Sequence, residues 1–389
     1  MHEAVTTSDY YDFEHLLPPE ERTFLDGVRK FLDAEVRPLV NDAWEAAEFP
    51  FQLVPKFAEA GLVGLAYGEK QASKLLTGFV GMELSRVDPS MSTFLGVHNG
   101  LAMGSVAELG SEEQQERWLP AMTAVDKIGA FGLTEPHGGS DVARGLETTA
   151  RRDGDDWVLD GAKRWIGNGT FADLVVIFAK DVEDEQVKAF VVEKDTPGFT
   201  ATKIQGKFAL RTVQNADIVL EGCRVPEANR LQRCASFRDV NRVLKATRGG
   251  VAWNAVGSQR GAYEAALAYA GEREQFGRPI AGFQLIQDLL ARMLGNVTAS
   301  MAMAVRVAQL QDAGECRDDQ AALAKSFCTS RARETVAWAR ELMGGNGILL
   351  ENDAVRFFAD VEALYSYEGT REINTLVVGR AITGVGAFV

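Results

Sequence analysis

Leu174-Val175-Val176-Ile177-Phe178 is a short run of β-branched and aromatic residues in a chain whose flanks carry a helical period, and its reading decides the fold. Upstream of it, Trp157-Val158-Leu159 meets the turn Asp160-Gly161; downstream come Phe190-Val191-Val192 and Ile218-Val219-Leu220. Short runs of this kind, separated by Asp-Gly and by acidic loops, indicate a small antiparallel sheet or barrel between about residues 145 and 230. On the N-terminal side, Phe24, Leu25, Val28, Phe31 and Leu32 recur at helical spacing after Pro19, which suits a first-turn position. Helical signals continue to about residue 125, with breaks expected near Pro38, Pro50 and Pro89. The helical period returns from about residue 238. Leu285, Leu289, Leu290, Met293, Leu294, Val297, Met301 and Val305 form an apolar stripe that reads as core packing. Asp319 to Arg340 reads as a further helix, stopped by Gly344-Gly345-Asn346-Gly347. The expected class is α+β, mostly α: a helical part over 1–127, a β part over 128–236 and a helical bundle over 237–389, with no internal repeat or long linker.

The 389 residues carry 41 basic and 55 acidic side chains, a formal net charge of -14. That balance argues against nucleic acid and against an anionic membrane as partners, since both demand a basic face. Cys223, Cys234, Cys316 and Cys328 lack CxxC spacing, and His2, His15, His98 and His137 are scattered, so neither a metal site nor a disulfide framework is expected. Met1 to Glu14 reads as neither a secretory signal nor a transit peptide, and Gly386-Ala387-Phe388-Val389 is not a peroxisomal address. The expected compartment is the cytoplasm.

Four segments carry the candidate chemistry. Phe131-Gly132-Leu133-Thr134-Glu135-Pro136-His137-Gly138-Gly139-Ser140-Asp141 lies where the helical part yields to the β part. Its glycines allow close backbone approach, and its N–H and hydroxyl donors suit a pyrophosphate or a flavin edge. Trp165-Ile166-Gly167-Asn168-Gly169 closes a strand, and Arg273-Glu274-Gln275-Phe276-Gly277-Arg278-Pro279 follows further on. Near the end, Tyr367-Glu368-Gly369-Thr370 places a carboxylate beside a glycine before the apolar run Ile373-Leu376-Val377-Val378. Thr370 suits an N-cap with Glu372 in the first turn, which leaves Glu368 unexplained. Burial of Glu368 in an apolar cleft would raise its proton affinity toward neutrality and make it a usable base.

Together and in this order, these segments resemble the acyl-CoA dehydrogenase and acyl-CoA oxidase superfamily of flavoproteins, from about residue 20 onward. Lys163-Arg164-Trp165-Ile166-Gly167-Asn168, Ile204-Gln205-Gly206-Lys207, Leu342-Met343-Gly344-Gly345-Asn346-Gly347 and Gly379-Arg380-Ala381-Ile382-Thr383-Gly384 are similar to the glutaryl-CoA dehydrogenase branch. Within that branch the chain most resembles plant-type short-chain acyl-CoA oxidases. The resemblance implies an N-terminal helical bundle, a central β-barrel-like domain and a C-terminal four-helix bundle, assembled as a homotetramer, a dimer of dimers, with FAD at a subunit interface. It implies that Phe131, Leu133, Thr134, Gly139, Ser140, Trp165, Gly167, Glu341, Gly344 and Gly345 line the cofactor, with Thr370 and Glu372 closing over it. Arg273, Phe276 and Gln284 would form the arm that reaches the neighbouring subunit's cofactor. Ser140, Arg248, Tyr367 and Gly369 would meet the acyl-CoA substrate.

By the same resemblance, Glu368 takes the α-proton of the thioester while flavin N5 accepts the β-hydride, giving a trans-2-enoyl-CoA. The base's own backbone N–H and a ribityl hydroxyl polarise the carbonyl. Some relatives carry the base on the helix that here reads Thr247-Arg248, where a threonine cannot serve; Arg248 is expected to set the pocket's electrostatics or to form a structural ion pair. The dehydrogenase reading implies an electron-transferring flavoprotein as partner.

Two departures matter. Ser85-Arg86-Val87-Asp88-Pro89-Ser90-Met91-Ser92 places Ser92 where the glutaryl-CoA branch has an arginine, which points away from a dicarboxylic acyl group and toward a short or branched monocarboxylic one. Gly167 replaces a threonine found in most dehydrogenases, which keeps an oxidase, passing electrons to O₂, as the alternative. The segment Tyr67-Gly68-Glu69-Lys70-Gln71-Ala72 is also shorter than the loop usual there. A catalytically silent scaffold of the same fold is the remote alternative.

Overall fold

Pro19 starts the first helix, where its fixed φ and missing N–H do no harm. The computed structural model describes residues 7–67 and 71–387. Residues 1–6, Gly68-Glu69-Lys70 and Phe388-Val389 lie outside it, and so do the expectations attached to them about a leader, a shortened loop and a terminal address. The first part contains α1 (Pro19–Phe31), α2 (Arg37–Ala46), α3 (Leu53–Glu59), α4 (Lys74–Val87), α5 (Pro89–Leu95), α6 (Gly104–Leu109) and α7 (Glu112–Thr123). A π-helical turn, Leu32–Val36, joins α1 to α2, and a second, Gly96–Met103, joins α5 to α6. Pro50 falls between helices and Pro89 opens α5, as expected. Pro38 does not break the chain's helical course. It lies in the first turn of α2, and the helix runs on through the π-turn before it.

The β part is one seven-stranded sheet: β1 (Gly129–Gly132), β2 (Thr149–Asp153), β3 (Asp156–Ile166), β4 (Leu174–Asp181), β5 (Val187–Glu193), β6 (Phe199–Lys203) and β7 (Ala216–Pro226). The decisive run is β4, buried along almost its whole length. β5 pairs with one edge of it, while β1 and β2 share the other. The sheet is mostly antiparallel, but the β1/β4 and β2/β4 pairings are parallel. β1 also begins earlier than the period change near residue 145. Its Gly-Ala-Phe-Gly composition carries no strand propensity, and burial of all four residues against β4 and the π-helical segment places it in the sheet.

The last part contains α8 (Phe237–Glu272), the ribbon β8 (Glu274–Gln275) and β9 (Arg278–Pro279), α9 (Gln284–Asp312), α10 (Asp318–Leu342), α11 (Ala354–Ser366) and α12 (Arg371–Thr383). The apolar stripe of α9 is core from Met293 onward, whereas Leu285 is 80% exposed. α4 and α8 cross at backbone distance. A Cβ on Gly257 would lie 2.1 Å from the Met82 carbonyl oxygen, and one on Gly261 2.3 Å from that of Arg86. Trp253 of α8 covers Gly78 and packs on Phe79 with ring centroids 4.9 Å apart.

A buried polar knot ties the three parts together. Arg356 of α11 pairs with Asp88 at 2.7 Å, both side chains fully buried, and also donates to Asn41 Oδ1 at 3.0 Å. Asp360, one turn on, accepts from Trp44 Nε1 at 2.9 Å and from the Leu210 N–H at 2.6 Å. Since the α4–α8 crossing leaves no room for a methyl group, Gly257→Ala is expected to destabilise the protein by about 2 kcal/mol or more. Thermal unfolding checks this, with Gly250→Ala, at a helix position with open space around it, as the control.

Candidate functional site

Glu368 sits in the turn between α11 and α12. Its φ is +53° and that of Gly369 is +81°, so two successive left-handed residues aim the carboxylate away from the helix axes. Glu368 Oε2 accepts a hydrogen bond from Thr247 Oγ1 of α8 at 2.7 Å. The Leu244 carbonyl, 3.1 Å away, is that hydroxyl's alternative acceptor. The residue as a whole is half-buried, with protein atoms crowding its carboxylate. Burial pushes its proton affinity above the usual carboxylate range, against the opposing pull of the Thr247 hydroxyl and of the charges on Arg248 and Lys325. The backbone N–H of Glu368 has no hydrogen-bond partner among the described residues. Such a group is a carboxylate primed to take a proton, with a free N–H donor beside it.

Thr370 is the N-cap of α12: its Oγ1 accepts from the Ile373 N–H at 3.2 Å. Glu372 lies exposed in the first turn and pairs with Arg371 at 2.8 Å. Tyr367 points its ring inward beside Thr93 and Asn254, and burial raises its phenol to about 12. Arg248 forms an ion pair with Asp318, the first residue of α10. The π-helical segment supplies the opposite wall, with Gly100 against the Thr247 methyl group. This segment is held to the sheet by His98, whose Nδ1 accepts from the Gly129 N–H at 2.9 Å. Asn168 adds bonds to the Phe94 and Gly129 carbonyls, at 3.2 and 3.3 Å.

The glycine-rich loop leaves β1 at Gly132 and is pinned by a buried ion pair. Lys163 Nζ lies 2.7 Å from Glu135 Oε1, with side chains 0% and 2% exposed. Glu135 also accepts from the Glu147 and Thr148 N–H groups, and Lys163 donates to the Leu133 carbonyl at 3.2 Å. Burial pushes Lys163 down to about 8; burial works to raise Glu135, but Lys163 and the hydrogen bonds hold it below the usual range. The Thr134 carbonyl accepts from the Arg164 N–H at 2.8 Å, setting this loop beside Trp165. Trp165 adopts φ +66° and is 52% exposed. Phe131 and Leu133 are buried, Gly139 and Ser140 are exposed, and the hydroxyls of Thr134 and Ser140 have no hydrogen-bond partner among the described residues.

At Gly167, a Cβ would meet Val97 Cγ2 at 2.9 Å. Val97 therefore occupies the space that a side chain at this position would need. Arg273, Phe276 and Gln284 are exposed on and beside the β8–β9 ribbon, Phe276 at 94%. Glu341, Gly344 and Gly345 are exposed at the end of α10, and neither glycine has an atom within 4 Å of a Cβ placed on it. A groove of about 520 Å³ lined by Phe24, Val28, Phe31 and Lys56 contains none of these residues.

The structure thus brings Glu368 and Tyr367 to α8, Gly369 to α10 and α12, and Thr134 to Trp165, while the ribbon residues are exposed. Sequence reading passed over Thr247 as a partner for Glu368, and over Lys325, Asn374 and Val97. Lys325 alone left a signal: a lysine on the buried face Ala321, Ala322, Ala324, Cys328.

Residues 18–126, 130–223 and 237–383 match the family profiles described as Acyl-CoA dehydrogenase, N-terminal domain, middle domain and C-terminal domain. The short-chain specific acyl-CoA dehydrogenase, mitochondrial, of Bos taurus is 33% identical over 370 residues, covering 93% of this chain and 90% of that one. A crystal structure of glutaryl-CoA dehydrogenase from Mycobacterium smegmatis superposes with a TM-score of 0.95 at 38% identity, covering 99% of this chain and 100% of that one. A glutaryl-CoA dehydrogenase from the same organism in complex with FADH2 gives 0.94 at 36% identity, with 97% and 98% covered.

Two outcomes follow from the geometry. Thr247→Val removes a bond that favours the ionised carboxylate, so Glu368 should titrate at higher pH than in the parent; an infrared pH titration of the carboxyl band reads this directly. Gly167→Thr should lower the melting temperature through its clash with Val97, and Val97→Ala in the same chain should restore part of the loss, a coupling that a double-mutant cycle measures.

Proposed function

We propose, from the premise that the chain belongs to the acyl-CoA dehydrogenase family, that it is the dehydrogenase of a short or branched acyl-CoA, with Glu368 as the base. The observation that carries the reading is a proton-avid carboxylate in a strained turn, bonded to the Thr247 hydroxyl and carrying a free backbone N–H. The residues present fit FAD. Unpartnered hydroxyls on Thr134 and Ser140 offer hydrogen-bond donors, glycines 344 and 345 leave open backbone, and the half-exposed Trp165 offers an aromatic face. Phe131, Leu133, Gly139, Gly167, Glu341, Thr370 and Glu372 complete that surface. Bound FAD supplies a two-electron acceptor for the hydride leaving the substrate β-carbon.

The chain's own residues do the rest. Glu368 is a base only while ionised, so this function is present above its raised pKa and is lost as pH falls through it. Its Oε atom removes the α-proton. The free N–H of the same residue donates to the thioester oxygen, where negative charge develops as the proton leaves. Tyr367, Gly369, Arg248 and Ser140 border the acyl-CoA.

The acyl end of the cleft supports a neutral group. Ser92 is 3% exposed and donates to Asn254 Oδ1 at 2.8 Å. The buried guanidinium of Arg86 is committed to Glu83 at 2.6 Å, to Asp33 at 3.2 Å and to Glu264 at 3.4 Å, leaving it no role in holding a distal carboxylate. Val97, by filling the space beside Gly167, favours the dehydrogenase over the oxidase, because an opening for O₂ at that glycine is closed.

We place the domain boundaries at 1–127, 128–236 and 237–389. We read the exposed Phe276, Leu285 and Ile382 as surface covered in a homotetramer in which Arg273, Phe276 and Gln284 complete the neighbouring subunit's cofactor site. An electron-transferring flavoprotein takes the electrons on. No helix among the described residues is long and apolar enough to cross a membrane. The four free cysteines are what a reducing compartment such as the cytoplasm maintains.

Anaerobic mixing of the flavin-loaded protein with a panel of acyl-CoAs tests the reading. Butyryl- and isobutyryl-CoA should bleach the flavin and glutaryl-CoA should not, while Glu368→Gln should slow bleaching by at least about 10³-fold. Bleaching by glutaryl-CoA alone would reverse the substrate assignment, and stoichiometric hydrogen peroxide in air would make the protein an oxidase.

A further inference from the structure

Lys325 of α10 takes no part in the chemistry above, yet it is fully buried against the base turn. Its Nζ donates to the carbonyl oxygens of Tyr365 and Gly369, both at 2.8 Å. These two carbonyls bracket Glu368 in the chain. Asn374 of α12, 1% exposed, donates Nδ2 to the same Gly369 oxygen at 2.8 Å and to the Thr370 oxygen at 3.0 Å. One carbonyl is therefore gripped by a charged donor from α10 and a neutral donor from α12.

The turn they grip does not hold itself. Glu368 bears the steric cost of a left-handed non-glycine residue. No backbone N–H from Glu368 to Thr370 has a hydrogen-bond partner among the described residues. Without an external clamp, the turn would relax and carry the carboxylate and its N–H out of register.

A clamp alone does not require a charge, as Asn374 demonstrates. Taking an ammonium out of water costs several kcal/mol, so the charge calls for a reason of its own. Glu368 supplies one. The groups facing its carboxylate are Thr247 and Arg248 from α8 and Lys325 from α10; Arg248 is shared with Asp318, and Glu372 of α12 acts on Lys325 in turn. Burial lowers Lys325 to about 8, so it remains cationic at neutral pH.

We propose that Lys325 is the positioning residue of the base: it locks the Tyr365–Gly369 turn through two carbonyls and supplies the fixed positive charge that faces the Glu368 carboxylate. The proposal rests on Glu368 being the base.

The test compares Lys325→Met, Lys325→Gln and Asn374→Leu in the flavin-loaded enzyme. Lys325→Met should lower kcat on the order of 10²-fold through misplacement, and the acidic limb of kcat/KM should move to higher pH. An infrared titration of the Glu368 carboxyl, made without substrate, should move the same way. Asn374→Leu should lower kcat while leaving the limb in place, since it removes a clamp and no charge. Should Lys325→Met fail to fold, Lys325→Gln keeps a donor, drops the charge and should still move the limb. An unmoved limb and carboxyl titration in the folded lysine variants, or an equal shift in Asn374→Leu, overturns the proposal. Turnover surviving in Glu368→Gln instead rejects the base reading itself, which the infrared titration does not depend on.

Discussion

The ion pair between Arg356 and Asp88 is the constraint from which the site's placement descends. Both side chains are withdrawn from water, a step that costs several kcal/mol per charge unless geometry and further hydrogen bonds offset it. Here they do. Arg356 also reaches Asn41 and Asp353, while Asp88 accepts from the Met91 N–H as the cap of α5. Asp360 extends the knot to Trp44 and to the loop at Leu210, and burial, with the charge of Asp88 behind it, pushes its carboxyl up to about 7. The strand-side loop is held to the same region by Lys207, whose ammonium bonds the Leu210 and Val213 carbonyls. α11 runs from this knot to the turn that carries Glu368, so the helix delivers the carboxylate to a place set by residues distant in the chain.

Burial alone does not decide what a buried carboxylate does. Glu83 of α4 is fully buried and receives Arg29 at 2.9 Å, Arg86 at 2.6 Å and Arg260 at 3.0 Å. Burial works to raise it, but the three guanidinium groups win and hold it at about 2. It is a permanent anion and serves to join helices. Glu368 has one hydroxyl and no cation at contact distance, so desolvation wins and its proton affinity rises. The difference between these two buried carboxyl groups lies in the number of cations at contact distance.

Much of the architecture was legible. The β4 run, Pro19 at the start of α1 and the Gly-Gly-Asn-Gly stop after α10 depend on local propensity and period, and each stands where those local rules put it. The parallel pairing of β1 was not legible, because Gly129–Gly132 has neither alternation nor β-branched residues and joins the sheet through its neighbours. Thr247 could be recognised as unfit to be a base, but its bond to Glu368 spans 121 positions in the chain. Val97 opposite Gly167 is the same kind of case, a space vacated in one segment and filled from another. Arg248 was left between two roles, and its ion pair with Asp318 shows one of them, while its charge still reaches Glu368.

What the sequence by itself determined is the order of helical and strand segments, the glycines that loosen the loops and the identity of the one carboxylate in the closing turn, since each is written in neighbouring residues. What only the tertiary structure decided is how strongly that carboxylate holds a proton and which way it faces. Those depend on desolvation by α8, α10 and α11 together and on donors from Thr247, Lys325 and Asn374, groups that chain folding alone brings within hydrogen-bond distance of the turn.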